Sequence, residues 1–339
     1  MTSIPSPGYG ADDTGLVCGF RFGPEGRGTP VDARQALQWL GQGGSPSGAG
    51  FVWLHFNLAQ AATARWLRAH LQLSPVFHEA LRDGSRSTRI EMDDDMLIAV
   101  VNDVCYDFSF EPTDVATLWL SVGPRLVVSA RMQPLRAIDR LRESVRRGAT
   151  LGSSVDMLVH LMHDQGDVLV QIVRETTARV DQLEDRLLAG RLARKRANLG
   201  SLRRVLVRLQ RLLAPEPAAL FRLLRLPPEW IVESDLDGLR QATEEFDVAL
   251  RDMATLVERI KLLQEDIAGR VAEANNRSLF LLTIVTVLAL PVNIMAGLFG
   301  MNVGGVPLVH NDEGFWIIVA IAVALTALAG WIAYTLARD

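Results

Sequence analysis

Residues 279–299 read LFLLTIVTVLALPVNIMAGLF, a run without a single charged side chain. As an α-helix this run is about 30 Å long, which is the thickness of the hydrocarbon core of a bilayer. A second uncharged run at residues 315–336, FWIIVAIAVALTALAGWIAYTL, meets the same criterion. Two such runs so close together are more typical of two membrane spans than of two buried helices in a large soluble core.

The basic residues around the two runs predict their orientation. Arg277 precedes the first run and Arg338 follows the second, whereas the connecting segment 300–314 contains no Lys or Arg. The positive-inside rule therefore places both flanks in the cytoplasm and the connecting segment outside. Residues 1–15 lack the basic start and apolar run of a signal peptide, so we expect a later segment to direct insertion.

Composition narrows the function classes further. The net charge of −4 is small, and no nucleic acid is among the partners that we expect. Cys18 and Cys105 stand far apart and form no CxxC pair, which predicts reduced thiols. The sequence contains no phosphate loop, nucleophile elbow or HExxH motif, so we expect neither an enzyme nor a bound cofactor.

The first 152 residues are expected to form an α/β domain. Short runs with strand character alternate with segments of helical periodicity, and this alternation is typical of a layered α/β fold. The expected strands are residues 16–22, 51–57, 89–91 with 96–101, 115–122 and 125–130, and the expected helices are residues 33–40, 62–71 and 135–146.

Residues 153–278 are expected to be helical and to lead into a membrane domain at residues 279–339. Ser153 is the expected N-cap of a helix over 154–188, a second helix covers 198–213, and the segment 214–217 interrupts it. A last helix, with Ser234 or Asp235 as its N-cap, is expected to continue into the first span, for a length of roughly 100 Å.

This last helix has apolar residues at seven-residue intervals, which predicts a partner helix. One interpretation is packing against other helices of the same chain. The other, which we predict, is a stalk that packs around a symmetry axis and holds an oligomer together. The two series are Leu239, Phe246, Met253, Ile260, Ile267 and Ala274, and Ala242, Ala249, Leu256 and Leu263.

A turn rich in glycine follows the first run. It begins Gly300-Met301-Asn302 and continues Val-Gly-Gly-Val to Pro307. The oxygens of the Asn302 side chain and of the Gly300 carbonyl would accept hydrogen bonds from the water shell that divalent cations hold tightly. The alternative is an ordinary loop between two spans, and the tripeptide alone does not decide between them.

The second half of the chain resembles the CorA superfamily of divalent-cation channels, whose signature is Gly-Met-Asn after the first span. The extension through Gly304-Gly305 to Pro307 is similar to the ZntB zinc-transporter branch in particular. Residues 276–279 (NRSL), Pro291, 213–215 (LAP) and 228–230 (PEW) agree with it, and Trp53-Leu54-His55 fits the family's first domain. The resemblance is strongest over residues 203–307.

The resemblance implies a funnel-shaped homopentamer in a bacterial inner membrane, with an α/β cytoplasmic domain, a long helical stalk and two spans. Lipid, divalent cations and further copies of the chain are the implied partners. Gly300, Met301 and Asn302 would form the selectivity filter. The family's pore-facing positions fall on Leu279, Leu282, Thr286, Leu290, Asn293 and Gly297, three or four residues apart as one helical face requires.

The resemblance favours Zn²⁺ as the transported ion. CorA proper usually continues its signature to Met-Pro-Glu, whereas this chain has Val306-Pro307-Leu308 and lacks the glutamate. A CorA-like Mg²⁺ or Co²⁺ channel is the alternative. A membrane-anchored signalling or scaffold protein is a third hypothesis, although a mere anchor needs neither Asn293 nor the glycine-rich turn.

Two further groups of residues are candidates for contact with metal ions. His310, Asp312 and Glu313 lie in the external loop, where the acids of five copies would raise the local cation concentration. His160, His163, Asp164 and Asp167 lie on one predicted helix at spacings of four that suit a shared regulatory metal. The alternative for this second group is a charged helix surface.

Overall fold

The computed structural model describes residues 10–42, 50–84, 88–111, 113–188, 196–301, 307 and 312–336, without the side chains of residues 186–188, 196–198, 333, 334 and 336. The chain divides into two compact units, Met1–Leu263 and Gln264–Asp339. This division differs from the three segments expected from the sequence, because helices up to residue 263 belong to the same unit as the α/β part.

Within the described part of the first unit, seven strands form one mixed sheet in the order β2-β1-β3-β7-β6-β5-β4. The central pair β3 and β7 is parallel, and the neighbouring pairs are antiparallel. The strands are β1 (Leu16–Phe22), β2 (Gly28–Pro30), β3 (Phe51–Asn57), β4 (Arg89–Asp93), β5 (Met96–Val104), β6 (Val115–Val122) and β7 (Leu126–Arg131).

The predicted strands are confirmed, with ends shifted by at most three residues. The strand β2 was not predicted, because three residues at a sheet edge are too short to show an alternation of polar and apolar side chains.

The helix α3 was also missed. It begins at Pro75 after Ser74, whose hydroxyl accepts a hydrogen bond from the backbone N–H of Val76 and so caps it.

One face of the sheet is covered by three helices, and a hydrophobic core lies beneath them. These are α1 (Ala33–Gly41), α2 (Ala61–His70) and α3 (Pro75–Asp83), and a fourth helix, α4 (Arg136–Arg146), is not part of this core. Alternate residues of β3, β5 and β7 enter this core, as the pleat requires. Buried members include Val52, Leu54, Phe56, Leu67, Phe77, Ile98, Val100 and Val128.

The intervening side chains of β3 point to the opposite face and form a buried polar chain. Ser129 Oγ accepts a hydrogen bond from Trp53 Nε1 at 2.8 Å and contacts His55 Nδ1 at 2.8 Å. Arg131 Nε donates to His55 Nε2 at 3.1 Å, which leaves the proton of a neutral imidazole on Nδ1. Burial lowers the pKa of His55. Trp53-Leu54-His55 is therefore a structural element of the fold.

The remaining helices are α5 (Ser154–Leu188), α6 (Arg196–Leu213), α7 (Pro215–Arg225), α8 (Glu233–Phe299) and α9 (Gly314–Leu336). Ser153 caps α5 as predicted, because its hydroxyl accepts a hydrogen bond from the backbone N–H of Asp156 at 2.8 Å. The predicted cap of α8 is wrong. Both Ser234 and Asp235 lie inside its first turn, and the Asp235 carboxylate instead accepts a hydrogen bond from Ser153 Oγ at 2.6 Å.

The helices α5 and α8 pack side by side and run in the same direction. Ser153 contacts Asp235 at their beginnings, and Arg259 forms an ion pair with Asp181 at 2.7 Å further along both helices. Gly238 packs against Val159 between these two points. The partner helix that the heptad pattern demands is therefore supplied by the same chain.

The heptad residues of α8 are buried within one chain as far as Ile267. Leu239, Met253 and Ile260 are 0% exposed, and Ala242, Phe246, Ala249, Leu256, Leu263 and Ile267 are also buried. Ala274 is exposed. The intramolecular interpretation of this seam is thus correct. The alternative, packing of the same residues around a symmetry axis, is wrong because their side chains already have partners.

A buried carboxyl group attaches α7 to the sheet. Glu216 is 0% exposed, and its Oε1 accepts a hydrogen bond from the backbone N–H of Asn102 at 2.8 Å. Asn102 lies beyond Val100, where the pairing of β5 with β4 ends, so its N–H is open at the edge of the ladder. Burial raises the pKa of Glu216 well above its usual value. The neutral form of this side chain is the one that the fold favours.

Replacing Glu216 by Gln should make stability less dependent on pH. When the pKa of a carboxyl group is higher in the folded than in the unfolded protein, the free energy of unfolding falls as the pH rises above the unfolded-state pKa. The amide keeps an acceptor for Asn102 and cannot ionise. The melting temperature of the variant relative to the parent should therefore rise between pH 5 and pH 8 by several degrees, since about 1 kcal/mol shifts it by roughly 2–4 °C.

The control for this experiment is Glu229→Gln, which alters an exposed glutamate that follows α7. Its difference from the parent should stay constant with pH. A constant difference for Glu216→Gln as well would show that the pKa of Glu216 is the same in the folded and unfolded protein, so that burial does not raise it.

Candidate functional site

The second unit contains the first apolar run, as the last part of α8, and the second run, as α9. By length and composition, two helices in the described part of the chain are candidate membrane spans. They are Glu233–Phe299 and Gly314–Ile332, and both apolar windows have a mean hydropathy of 2.4. None of either window is buried inside the chain. Such surfaces are typical of helices whose environment is lipid or further protein.

One face of the first span packs against α9. It includes partly buried residues at intervals of three or four, namely Ile284, Leu288, Pro291, Met295 and Phe299. A side chain placed on Gly330 of α9 would begin 3.6 Å from Leu288 Cδ2, so the two helices are in close contact there. This contact fixes which face of the first span is turned away from α9.

The face turned away from α9 is the one predicted to line a pore. Leu282 and Leu290 are 64% and 55% exposed, and Asn293 is exposed as well. Leu279, Thr286 and Gly297 complete this exposed row. At 100° per residue, Asn293 lies roughly on the opposite side of the helix from Leu288. The arrangement leaves all six predicted positions available to line a pathway.

The two polar side chains in this row differ in their local bonding. Thr286 Oγ1 donates a hydrogen bond to the carbonyl of Leu282 at 2.9 Å, so its proton is used within the helix. The Asn293 amide projects from an otherwise apolar surface, where a polar group is costly unless it meets water or a polar partner. Asn293 is therefore stronger evidence for a water-filled pathway than Thr286 is.

The turn after the first span requires glycine at its start. The backbone N–H of Gly300 donates to the carbonyl of Ala296 at 2.9 Å and completes the last helical turn. A side chain at Gly300 would lie 2.7 Å from that same carbonyl oxygen, which is too close for any other residue. Met301 follows and is 53% exposed. Asn302 and His310 lie outside the described residues.

The two loop acids and an apolar cavity lie near the beginning of α9. Asp312 and Glu313 are both exposed immediately before α9. The cavity, which the sequence did not indicate, has a volume of about 510 Å³ between the two spans. Its lining includes Met295, Phe299, Phe315 and Ile318. These residues lie on two separate helices, so the contact between them could not be predicted from their spacing in the sequence.

The four residues predicted to share a regulatory metal do not come together as expected. His160 Nδ1 lies 3.2 Å from Asp156 Oδ1, and this hydrogen bond raises the pKa of His160. His163 Nδ1 lies 3.0 Å from Glu245 Oε2 on α8. Burial raises the pKa of Asp164 to about 6, which makes it a weaker metal ligand near neutral pH.

Among the residues that the structure describes, no group of three or more His, Cys, Asp or Glu side chains is arranged to hold a metal ion. The prediction of a shared site at His160, His163, Asp164 and Asp167 is therefore wrong. The two histidines have separate carboxylate partners, and one of those partners belongs to another helix.

Comparison with known proteins agrees with the fold and the spans. A family model described as CorA-like Mg²⁺ transporter protein matches residues 48–334. The chain belongs to the CorA family. It is 28% identical over 327 residues to the divalent cation transporter CmaX of Pseudomonas aeruginosa, covering 95% of this chain and 96% of the relative. It is 26% identical over 322 residues to the zinc transport protein ZntB of Yersinia pseudotuberculosis, covering 91% and 96%.

The solved structures of CorA proteins have the same architecture. The full-length CmaX structure matches with a TM-score of 0.80 at 26% identity, over 96% of this chain and 99% of that chain. The complete CorA magnesium transporter from Methanocaldococcus jannaschii matches with a TM-score of 0.72 at 19% identity, over 93% and 96%, a likeness that shows the fold alone. The predicted CorA-like fold is confirmed, and CorA proteins are a family of transporters rather than enzymes.

Proposed function

We propose that the chain forms a homopentameric channel for divalent cations, with Zn²⁺ as its main substrate, in a bacterial inner membrane with both termini in the cytoplasm. The observation that carries the proposal is the exposed face of the first span. It lies opposite the contact with α9, has no charged residue and includes Asn293. One copy exposes this face, and several copies around an axis would enclose it.

The chemistry along this face suits a hydrated cation. Leu282 and Leu290 would form apolar constrictions able to close the pathway by dewetting. Asn293, and Asn302 with the Gly300 carbonyl, would offer neutral oxygens to the water shell of a dication. Neutral acceptors bind the hydrated ion weakly enough for it to leave, whereas a carboxylate ring would hold it more tightly.

The choice of Zn²⁺ rests on the residues after the filter and on the relatives. Residues 306–308 read Val-Pro-Leu and lack the glutamate that follows the proline in CorA proper. The ZntB relative is named as a zinc transport protein. Mg²⁺ is the second candidate, because the family model that matches the chain is described by that ion.

Metal flux into proteoliposomes tests the proposal. The full-length protein should admit Zn²⁺ faster than Mg²⁺, and an inside-negative potential should accelerate entry, since a dication gains about 4.6 kcal/mol at 100 mV. Flux of Mg²⁺ above that of Zn²⁺ would establish the second candidate. Absence of flux for both ions, in vesicles where the protein is shown to be folded and oligomeric, would refute a channel.

The loop acids are expected to attract cations rather than bind them. Replacing Asp312 by Asn and Glu313 by Gln should reduce uptake at low metal concentration about two- to tenfold, because the acids of five copies raise the local cation concentration. The loss should shrink at high salt, since exposed charges are screened beyond about 10 Å at 0.1 M. It should also shrink as the metal concentration approaches saturation.

A matched control removes two exposed carboxylates far from the loop in sequence, with Asp13→Asn and Glu25→Gln. Its uptake should equal that of the parent at every salt concentration. If the loop variant instead loses flux independently of salt and changes its preference between Zn²⁺ and Mg²⁺, the acids coordinate the ion directly.

A further inference from the structure

A polar cavity of about 420 Å³ lies in the first unit, beside the edge of the sheet formed by β1 and β2. It belongs to the α/β part of the chain and is separate from the ion pathway proposed above. Its volume falls within the range of small-molecule sites, roughly 300–1,000 Å³. The lining residues are Arg21, Thr29, Pro30, Val31, Gln35, Ala36, Gln38, Trp39, Gln42 and Val52.

The floor of this cavity is set by strand register. Thr29 of β2 and Val52 of β3 are the direct neighbours of Arg21 on its two sides. Residues paired in this way project from the same face of a sheet, so these three side chains form a row. The Thr29 hydroxyl donates a hydrogen bond to the carbonyl of Arg21 at 3.0 Å and ties the edge strand to it.

The wall of the cavity is one face of α1 without any charge. The spacings 35–38, 35–39, 38–42 and 39–42 are three or four residues, which places side chains on the same side of a helix. The residues on this face are Gln35, Gln38, Trp39 and Gln42. The three glutamines are exposed, whereas Trp39 is partly buried against the core beneath α1, α2 and α3. An exposed helix face usually carries charged residues, and this one instead presents amides around an indole ring.

Arg21 is a charged lining residue of the cavity, and the lining includes no carboxylate. The Asp32 carboxylate lies beside the lining and accepts a hydrogen bond from the backbone N–H of Gln35 at 2.7 Å as the N-cap of α1. The guanidinium of Arg125 lies over the Trp39 ring, with Cζ 4.7 Å from the ring centroid. Its Nε is buried without a hydrogen-bond partner. Across the described ranges, neither arginine forms an ion pair.

These features together define the chemistry of a ligand. Arg125 covers one face of the Trp39 ring, and the ring also borders the cavity, where a flat heteroaromatic group would stack. The Arg21 guanidinium suits the phosphate of the same molecule, because its planar donors match phosphate oxygens. The amides of Gln38 and Gln42 can donate and accept, as the edge of a nucleobase requires. The Gln35 oxygen already accepts a hydrogen bond from the backbone N–H of Asp32 at 3.0 Å, and its NH₂ group can still donate.

We propose that this cavity, defined by Arg21, Trp39 and the three glutamines, is a binding site for a nucleoside phosphate. The base stacks on Trp39 and the phosphate pairs with Arg21. Because the site lies in the first unit, it offers the transporter a place to respond to a nucleotide. The proposal is independent of which cation the channel carries.

Isothermal titration calorimetry of the full-length protein in detergent, with AMP as the probe, tests this site. Adenosine, ribose 5-phosphate and inorganic phosphate serve as comparison ligands. AMP should bind more tightly than all three, because stacking and the charged contact each contribute. Arg21→Gln should weaken AMP binding about tenfold or more, because the charged contact with the phosphate is lost.

Trp39→Leu, which keeps an apolar side chain against the core, should also weaken AMP binding, while leaving the weak binding of inorganic phosphate unchanged. The matched control is Arg34→Gln, an exposed arginine of α1 outside the cavity lining, and it should bind AMP as the parent does. No binding of AMP at millimolar concentration overturns the proposal. So does AMP binding that survives Arg21→Gln unchanged, and so does inorganic phosphate binding as tightly as AMP.

Discussion

Met253→Asp should prevent the unit Met1–Leu263 from folding. Met253 is 0% exposed in a single chain and lies in the seam that α8 presents to the other helices of its own unit. A carboxylate at this position would be buried without a partner, at a cost of several kcal/mol. This cost is comparable to the whole stability of an ordinary domain, about 5–15 kcal/mol. Purified yield, circular dichroism and protease resistance of the full-length variant would measure the loss.

The control for this experiment is Val248→Asp on the same helix. Val248 is 52% exposed, so a carboxylate there remains in water and the variant should fold like the parent. A Met253→Asp protein that keeps its fold and protease resistance but separates into monomers would contradict the expectation. That result would mean that the seam holds copies together, as the rejected interpretation of the heptad pattern requires.

The heptad pattern of α8 predicts which residues are buried but not which helix they pack against. Periodicity identifies the residues that α8 buries, and nine of the ten seam positions are buried. It does not identify the partner, because an a/d seam packs equally well against a helix of the same chain or of another. The contacts of Ser153 with Asp235 and of Arg259 with Asp181 join residues about 80 positions apart, and no local pattern encodes such a pairing.

The candidate metal site failed for the same reason. Spacing on α5 correctly places His160 and Asp164 on one side of a helix, but it cannot show which neighbouring helix approaches that side. Glu245 arrives from α8 and pairs with His163, and Asp156 pairs with His160 from the preceding turn. Histidines on charged helices often pair with carboxylates in this way, and such a pair competes with a metal ion for the same ring nitrogen.

The membrane part was the most predictable from sequence. Two long uncharged runs identify the candidate spans by length alone, whereas the pore-facing positions taken from the family pattern stay a prediction. The contact between Leu288 and Gly330 required the structure, because small residues and leucines are frequent all around both helices. That contact identifies which face of the first span is turned away from α9, and this is the face that we propose lines a pore.

Asn302→Ala should reduce Zn²⁺ flux at least tenfold in proteoliposomes while leaving assembly intact. In the proposed channel, Asn302 supplies a ring of amide oxygens to the water shell of the ion, and alanine removes every one of them. A single hydrogen bond that involves a charged partner is worth roughly 1.5–3 kcal/mol, and tenfold in rate corresponds to about 1.4 kcal/mol. The preference for Zn²⁺ over Mg²⁺ should also weaken, because both ions would then pass an opening lined by apolar side chains.

The control Gln241→Ala removes an exposed amide from α8 within the first unit and should leave flux unchanged. A second variant, Asn293→Leu, separates the filter from the span, because it removes the amide of the exposed pore face and keeps Asn302. If flux and ion preference survive Asn302→Ala but are lost in Asn293→Leu, the ion is selected inside the first span rather than at the turn. If both variants conduct as the parent does, the amides of this segment play no part in transport, and the pathway must be formed by other residues.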